Sequence, residues 1–244
     1  MVMVVTTAPI KVAWEKLPDD FVLPDEPVDN INQSALAAAL TESLELAGKL
    51  APSSLTTTNY GICATLNNKV VVKAPDWSYI PTIRVPRDEV QRSYIPRLQG
   101  DLPAIVMEFL SETEGGEYSI KPTYPPGKWF FYERILKVAN YVIFEPEKGT
   151  LEVYCLGDAD QYYLQESNEL GRYWIPELSL FLGIWEGSRG NWNGYWLRWW
   201  TEPGDLLLWG SELAAQAQEA KEAAEVRAAK LAAQLRAAGI EPEA

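Results

Sequence analysis

Pro103-Ala104-Ile105-Val106-Met107-Glu108-Phe109-Leu110-Ser111 is the stretch on which the fold turns. It is an apolar run of strand length interrupted by one carboxylate. Side chains alternate along a strand, so Val106 and Leu110 share the face of Glu108, while Ile105, Met107 and Phe109 take the other. Both faces are apolar, which places the strand inside a sheet covered on both sides. An ionised carboxylate there is costly unless it is paired or bound to a metal. Glu108 therefore has two readings, a buried ion pair and a metal ligand, and the strand alone supports both.

Working upstream, Trp77 to Ile80 reads as extended and is preceded by Pro75-Asp76. Asp after Pro commonly bonds the nearby backbone, so Asp76 reads first as a turn residue and second as a ligand. Tyr60 to Lys73 reads as a hairpin: Ile62, Ala64 and Leu66 alternate, Asn67-Asn68 turns, and Val70, Val71 and Val72 return. Ser34 to Leu50 carries Leu36, Leu40, Leu44 and Ala47 at helical spacing, with Pro52 just beyond. Residues 1–30, with Pro18, Pro24 and Pro27, read as an extended lead-in.

Working downstream, residues 111–127 are polar and rich in Pro and Gly. Lys128 to Val138 has helical spacing, with Phe131, Ile135 and Val138 on one side. Lys128 opens this helix and Tyr132 follows one turn later; the ordinary reading of such a lysine is a solvated one. Tyr141 to Phe144, the turn Glu147-Lys148-Gly149 and Leu151 to Leu156 form a second hairpin. Helix, hairpin, strand, helix, hairpin predicts an α+β domain with a mixed sheet, here given the bounds 31–204. The aromatic-rich remainder predicts short strands with tryptophans in the core. The glycine-rich run Gly187 to Gly194 predicts a hairpin loop and fits no phosphate-binding fingerprint. Ser211 to Ala238 is an Ala-rich helix within a tail, 205–244. Its stripe Leu213, Ala217, Ala220, Ala224 meets Arg227 at the next heptad position, so a coiled coil is weakly specified and a solvated helix is the simpler reading.

Composition narrows the chemistry. The 244 residues carry a net charge of -13, so any nucleic-acid contact must be local. Arg84, Arg87, Arg92 and Arg97 precede the Glu108 strand, and Lys121, Lys128, Arg134 and Lys137 follow it; together they predict one basic groove, against the plainer reading of ordinary surface charge. There is no histidine, which removes Ser-His-Asp and Cys-His nucleophiles and His-ligated zinc. Two cysteines, Cys63 and Cys155, build neither a Cys₄ site nor a disulfide framework and are expected buried and reduced. No signal peptide or membrane span is read, so a cytoplasmic protein is expected. What remains is carboxylate, lysine, hydroxyl and oxygen-ligated metal. Two carboxylates at neighbouring strand ends suit Mg²⁺, which takes one or two of them plus water and phosphate oxygens. A nearby lysine would steady the charge of a phosphoryl transition state.

Four segments together resemble a known family: Pro75-Asp76-Trp77-Ser78-Tyr79, the Pro103 to Ser111 run, Lys128 with Tyr132, and Asn140-Tyr141-Val142-Ile143-Phe144-Glu145-Pro146. Their order and spacing are similar to the restriction endonuclease family called Uma-two, and Tyr124 to Glu133 resembles a branch common in cyanobacteria. The resemblance implies a restriction-endonuclease-like PD-(D/E)XK fold with an αβββαβ core. It also implies Mg²⁺- or Mn²⁺-dependent hydrolysis of DNA phosphodiester bonds. A lone active site cuts one strand, so cutting a duplex would require a homodimer or two binding events, and the helix at 211–238 could supply the self-association. By position it makes Asp76 and Glu108 metal ligands and Lys128 the catalytic lysine, since Leu110 stands where the lysine usually follows the second acid. Glu42 is the matching acid on the first helix. The family's acid one turn before the lysine is replaced around Tyr124, and its first-helix histidine is absent. These departures and the acidic balance support an alternative, a non-catalytic member that binds nucleic acid or a protein partner, the latter through the C-terminal helix.

Overall fold

The computed structural model describes residues 10–17, 21, 31–110 and 116–238. The first strands are β1 (Val12–Ala13), β2 (Leu55–Thr57), β3 (Ile62–Leu66), β4 (Lys69–Lys73), β5 (Trp77–Ile80) and β6 (Ile105–Phe109). The later ones are β7 (Asn140–Glu145), β8 (Thr150–Leu156), β9 (Tyr162–Leu164), β10 (Tyr173–Ile175), β11 (Leu180–Arg189) and β12 (Trp192–Trp200). The helices are α1 (Gln33–Leu46), α2 (Lys128–Phe130) and α3 (Gly210–Ala237). α2 runs directly into a π-helical segment, Phe131–Leu136.

Strand β6 is central, as its two apolar faces require. All five of its residues are buried, and the sheet order is β2-β5-β6-β7-β8-β9. β5 pairs antiparallel with β6 (Trp77 opposite Met107), and β6 pairs parallel with β7 (Glu108 opposite Ile143). Parallel neighbours need a crossover, which α2 and the π-helical segment supply. The elements that make this sheet follow one another as α1, β2, β5, β6, α2, β7, an αβββαβ order.

The hairpin read at 60–73 forms, with Asn67 and Asn68 both at positive φ, but it stands apart from this sheet. β3 and β4 join β1 in a separate three-stranded sheet. The strand that completes the core is instead β2, whose three residues are too few to show a period. Most of the 1–30 lead-in lies outside the described residues; Val12–Ala13, which is described, pairs with β3.

The faces of β6 pack against different layers. Ile105, Met107 and Phe109 meet Leu36, Leu40 and Leu44 of α1, with Trp196 and Trp199 of β12 in the same core. Val106 meets Phe131, Tyr132 and Leu136 on the other side. The glycine-rich run is mostly strand, not loop: Gly187 pairs with Gly194, and the β11-β12 hairpin turns only at Gly190-Asn191. A Cβ on Gly187 would collide with the Trp185 ring, and one on Gly194 would lie 2.9 Å from the Trp192 indole nitrogen. Those glycines make room for indoles on the sheet face.

α3 starts at an anchored point and then leaves the body. Trp209 N–H donates to Glu212 (2.8 Å), whose carboxylate also accepts from the fully buried Arg198 at 2.6 and 3.1 Å. Beyond this root no residue of α3 is buried. Cys63 and Cys155 are free thiols, buried and half-buried. Among the described residues no helix is long and apolar enough to cross a membrane.

Candidate active site

Alternation along β6 points Glu108 away from α1 and toward the π-helical segment, where its side chain is 1% exposed. Tyr132 donates its hydroxyl to Glu108 Oε1 (2.9 Å) and Lys128 donates Nζ–H to Oε2 (3.1 Å). The four-residue spacing of Lys128 and Tyr132 sets both side chains on one side of the helix, so one turn supplies both donors. Lys128 is thus no solvated surface residue. Its Nζ also donates to Glu117 Oε1 at 2.9 Å.

Asp76 ends the connection into β5. Its Oδ2 accepts the backbone N–H of Phe109 at 2.6 Å, the residue after Glu108. The expected side-chain to backbone bond is therefore present, but it crosses to the neighbouring strand and fixes Asp76 against the end of β6. α1 reaches the same point through Gln33, whose Nε2–H donates to the Phe109 carbonyl at 3.2 Å.

The electrostatics follow from this burial. Desolvation pushes the Glu108 carboxyl up to about 8, Lys128 and the Tyr132 hydroxyl pull it down, and the Asp76 charge pushes it up further. Burial also lifts Asp76 to about 6, opposed by the Phe109 N–H and Lys128 and assisted by Glu117. Burial works against the Lys128 ammonium, but Glu108 and Glu117 outweigh it and hold the pKa above its ordinary value. Lys128 therefore stays charged at neutral pH and donates protons in hydrogen bonds without giving them up.

Glu117 escaped the sequence reading. Eleven positions separate it from Lys128, a spacing without period, in a segment that looked like loop. Residues 116–127 close on themselves at Gly127, whose N–H donates to the Lys121 carbonyl at 2.9 Å and where a Cβ would strike Ser119. The Tyr141 hydroxyl holds the Glu117 carbonyl at 3.0 Å. Glu117 thus brings an acid to Lys128 from upstream of Tyr124, whose own hydroxyl bonds the Val70 carbonyl at 3.1 Å.

Glu42 lies elsewhere in the contact network: its carboxylate accepts from Arg189 (2.6 Å) and from the Gly210 N–H (3.2 Å), tying α1 to β11 and α3. The two basic segments do not gather around Glu108 as one groove. Lys128 reaches it, whereas Arg84 pairs with Asp101, Arg134 with Glu133 and Lys137 with Asp160. Arg84, Arg97 and Asp101 line a cleft of about 390 Å³ near the opposite end of β6.

Among the described residues no three acidic or thiol side chains form a ready cation cage. Asp76 and Glu108 still have the donor chemistry of a hard cation site. Both are oxygen donors raised by burial, and the charge of Asp76 is felt at Glu108, a strain that a divalent cation would relieve. Two carboxylates suffice for Mg²⁺, which keeps several waters.

A mixed sheet with α1 on one face and a lysine-bearing helix crossing the other, two acids meeting at adjoining strand ends, is the arrangement of a restriction-endonuclease-like protein. The chain belongs to the Uma2 family, described as "Putative restriction endonuclease", whose profile matches residues 11–188. No curated protein matches the sequence.

Proposed function

We propose that the protein is a Mg²⁺-dependent endonuclease that hydrolyses DNA phosphodiester bonds at the Asp76, Glu108 and Lys128 constellation. The observation that carries this reading is the Lys128 ammonium, held by Glu108 from the central strand and by Glu117 from the preceding loop. An ammonium has three N–H donors. Two are committed to carboxylates, which leaves the third for a phosphoryl oxygen as negative charge builds there. Glu108 and Glu117 keep the lysine protonated and Glu117 aims it, so Lys128 stabilises charge and orients water without acting as the base. Tyr132 fixes one oxygen of Glu108, and the Phe109 N–H fixes one of Asp76, so both acids keep their orientation without substrate. Asp76 and Glu108 would hold the cation, which when bound would polarise the phosphoryl group and lower the pKa of bound water.

A second reading has its own support. Both Glu108 oxygens already have protein donors, so the cluster is self-satisfied and would suit a non-catalytic member of the family. Thermal melting of wild type and the Asp76→Ala, Glu108→Ala double variant, with EDTA or Mn²⁺, separates the two. The enzyme reading expects a cation-induced rise in melting temperature in wild type alone. Equal responses of the two proteins contradict it.

A further inference from the structure

We propose that Tyr118, backed by Trp129, is a stacking platform for an unpaired base beside the scissile phosphate, which makes single-stranded or locally opened DNA the substrate class. The chain ties both rings to the site. Tyr118 follows Glu117 and Trp129 follows Lys128, and the side chains of Glu117 and Lys128 meet at 2.9 Å. Tyr118 lies over Trp129 with the ring planes 27° apart and the centroids separated by 6.3 Å, an offset stack. Tyr141, Tyr154 and Tyr162 in turn meet Trp129 edge to face. The lower ring is therefore fixed, while Tyr118 above it is 49% exposed.

Tyr118 is exposed and yet held. Its hydroxyl donates to Glu152 Oε2 at 2.8 Å, and the Tyr154 hydroxyl donates to the same oxygen at 2.8 Å. The sheet register places this anchor relative to Glu108. Glu108 stands opposite Ile143, and Ile143 opposite Glu152. Side chains directly opposed across strands share a face, so Glu152 lies on the face of Glu108, two strands away. Strands about 4.8 Å apart set the two backbones about 10 Å apart, within the reach of one nucleotide. A phosphate held by the third N–H of Lys128 thus leaves a neighbouring base able to reach the exposed side of Tyr118.

Charge decides which part of a strand goes there. The Glu152 carboxylate behind the Tyr118 hydroxyl repels a phosphate, so the ring offers its face to a base. A closed duplex hides its base faces and is held chiefly through phosphates. The net charge of -13, and the pairing of Arg84, Arg134 and Lys137 with acids, leave few cations for that task. Stacking needs no basic groove and accepts any base. Other exposed rings lack this setting. Tyr124 has the Lys69 ammonium 4.8 Å from its centroid. Tyr163, 56% exposed, follows the register Cys155, Asn140, Ile105 to the far end of β6 and the face turned to α1.

The platform rests on the hydrolytic reading for the position of the phosphate, so its test reads binding without turnover. The full chain carrying Glu108→Gln, in Mg²⁺, is titrated into a labelled oligothymidylate of about 12 nucleotides and into an abasic strand of equal length, followed by fluorescence anisotropy. Both probes carry the same phosphates. The oligothymidylate should bind about 5- to 100-fold more tightly, the range that stacking of a single base supplies. Adding Tyr118→Leu, which keeps an apolar cover on Trp129 but has no π face, should close this gap by weakening the oligothymidylate alone. Tyr118→Trp and Tyr163→Ala should each preserve it. A closed duplex of the same length should bind more weakly than the oligothymidylate, because its bases must first be unpaired. Equal binding of the two probes, no binding of either, a gap that survives Tyr118→Leu, or a duplex bound more tightly would overturn the proposal. A lost gap beside intact plasmid nicking contradicts the platform alone; a Tyr118-dependent gap beside absent nicking contradicts the hydrolysis alone.

Discussion

Lys128 lies 3.1 Å from Glu108 although twenty positions separate them in the chain. The relationship arises because β6 and the helix that follows it belong to one parallel crossover. The helix has to return across the face of β6 that carries Glu108, and its first turn meets the strand at that acid. Substituting Lys128 by Ala leaves Glu108 buried with one donor lost. The expected cost is about 1–3 kcal/mol, the price of an unsatisfied buried acceptor. Cleavage should fall by about 10²–10³-fold, the typical loss of one donor to a developing anion. Urea denaturation and single-turnover rates check both figures, and adding Glu108→Gln to Lys128→Ala should restore part of the stability and none of the rate.

Glu108 also sets the pH dependence of stability without metal. Its carboxyl is raised from 4.5 to about 8 in the folded protein. Between those values the folded state holds a proton that the unfolded chain has lost, so stability falls as pH rises through the window. Asp76 adds a slope of the same sign between 3.8 and about 6. Glu108→Gln should remove the decline above pH 6 and leave the Asp76 part below it. Urea denaturation in EDTA across this range is the measurement; parallel slopes in wild type and variant would contradict the assignment.

Tyr132→Phe deletes a hydroxyl that lowers the Glu108 pKa. About 1 kcal/mol of stability should go with the hydrogen bond. The acidic limb of the rate profile should move to higher pH, because Glu108 then holds its proton longer. A merely structural Tyr132 would lower stability and leave the limb in place.

Glu42→Ala should behave differently from the site variants. Its pair with Arg189 is partly exposed (side chains 34% and 26%), so a loss of about 0.5–1 kcal/mol is expected. The rate per folded molecule should not change. A rate loss like that of Lys128→Ala would place Glu42 in the chemistry.

Much of this was legible from residue patterns. The apolar alternation around Glu108 announced a central strand, and the two faces divide as alternation requires. Lys128 and Tyr132, one helical turn apart, already shared a direction. Other parts had no local signal. β2 is three residues long, too short for a period, so the strand that completes the sheet carries no signal beside the strongly patterned hairpin that follows it. Glu117 and Gln33 reach the site through chain reversals that spacing does not encode. The glycines at 187 and 194 imitate a loop, yet they serve to accommodate the rings of Trp185 and Trp192. Glu42 lies two residues from both Leu40 and Leu44, off the helix face the core leucines share, and what it touches depends on where β11 and α3 arrive, which its own helix does not specify.

The central claim is most directly tested by incubating supercoiled plasmid with the full chain in Mg²⁺, in Mn²⁺ and in EDTA, beside Glu108→Gln. The account predicts nicking with either cation, none in EDTA, and a loss of at least about 10²-fold in the variant. Cleavage that persists in EDTA or in Glu108→Gln, or no cleavage by a folded wild type with either cation, would contradict it.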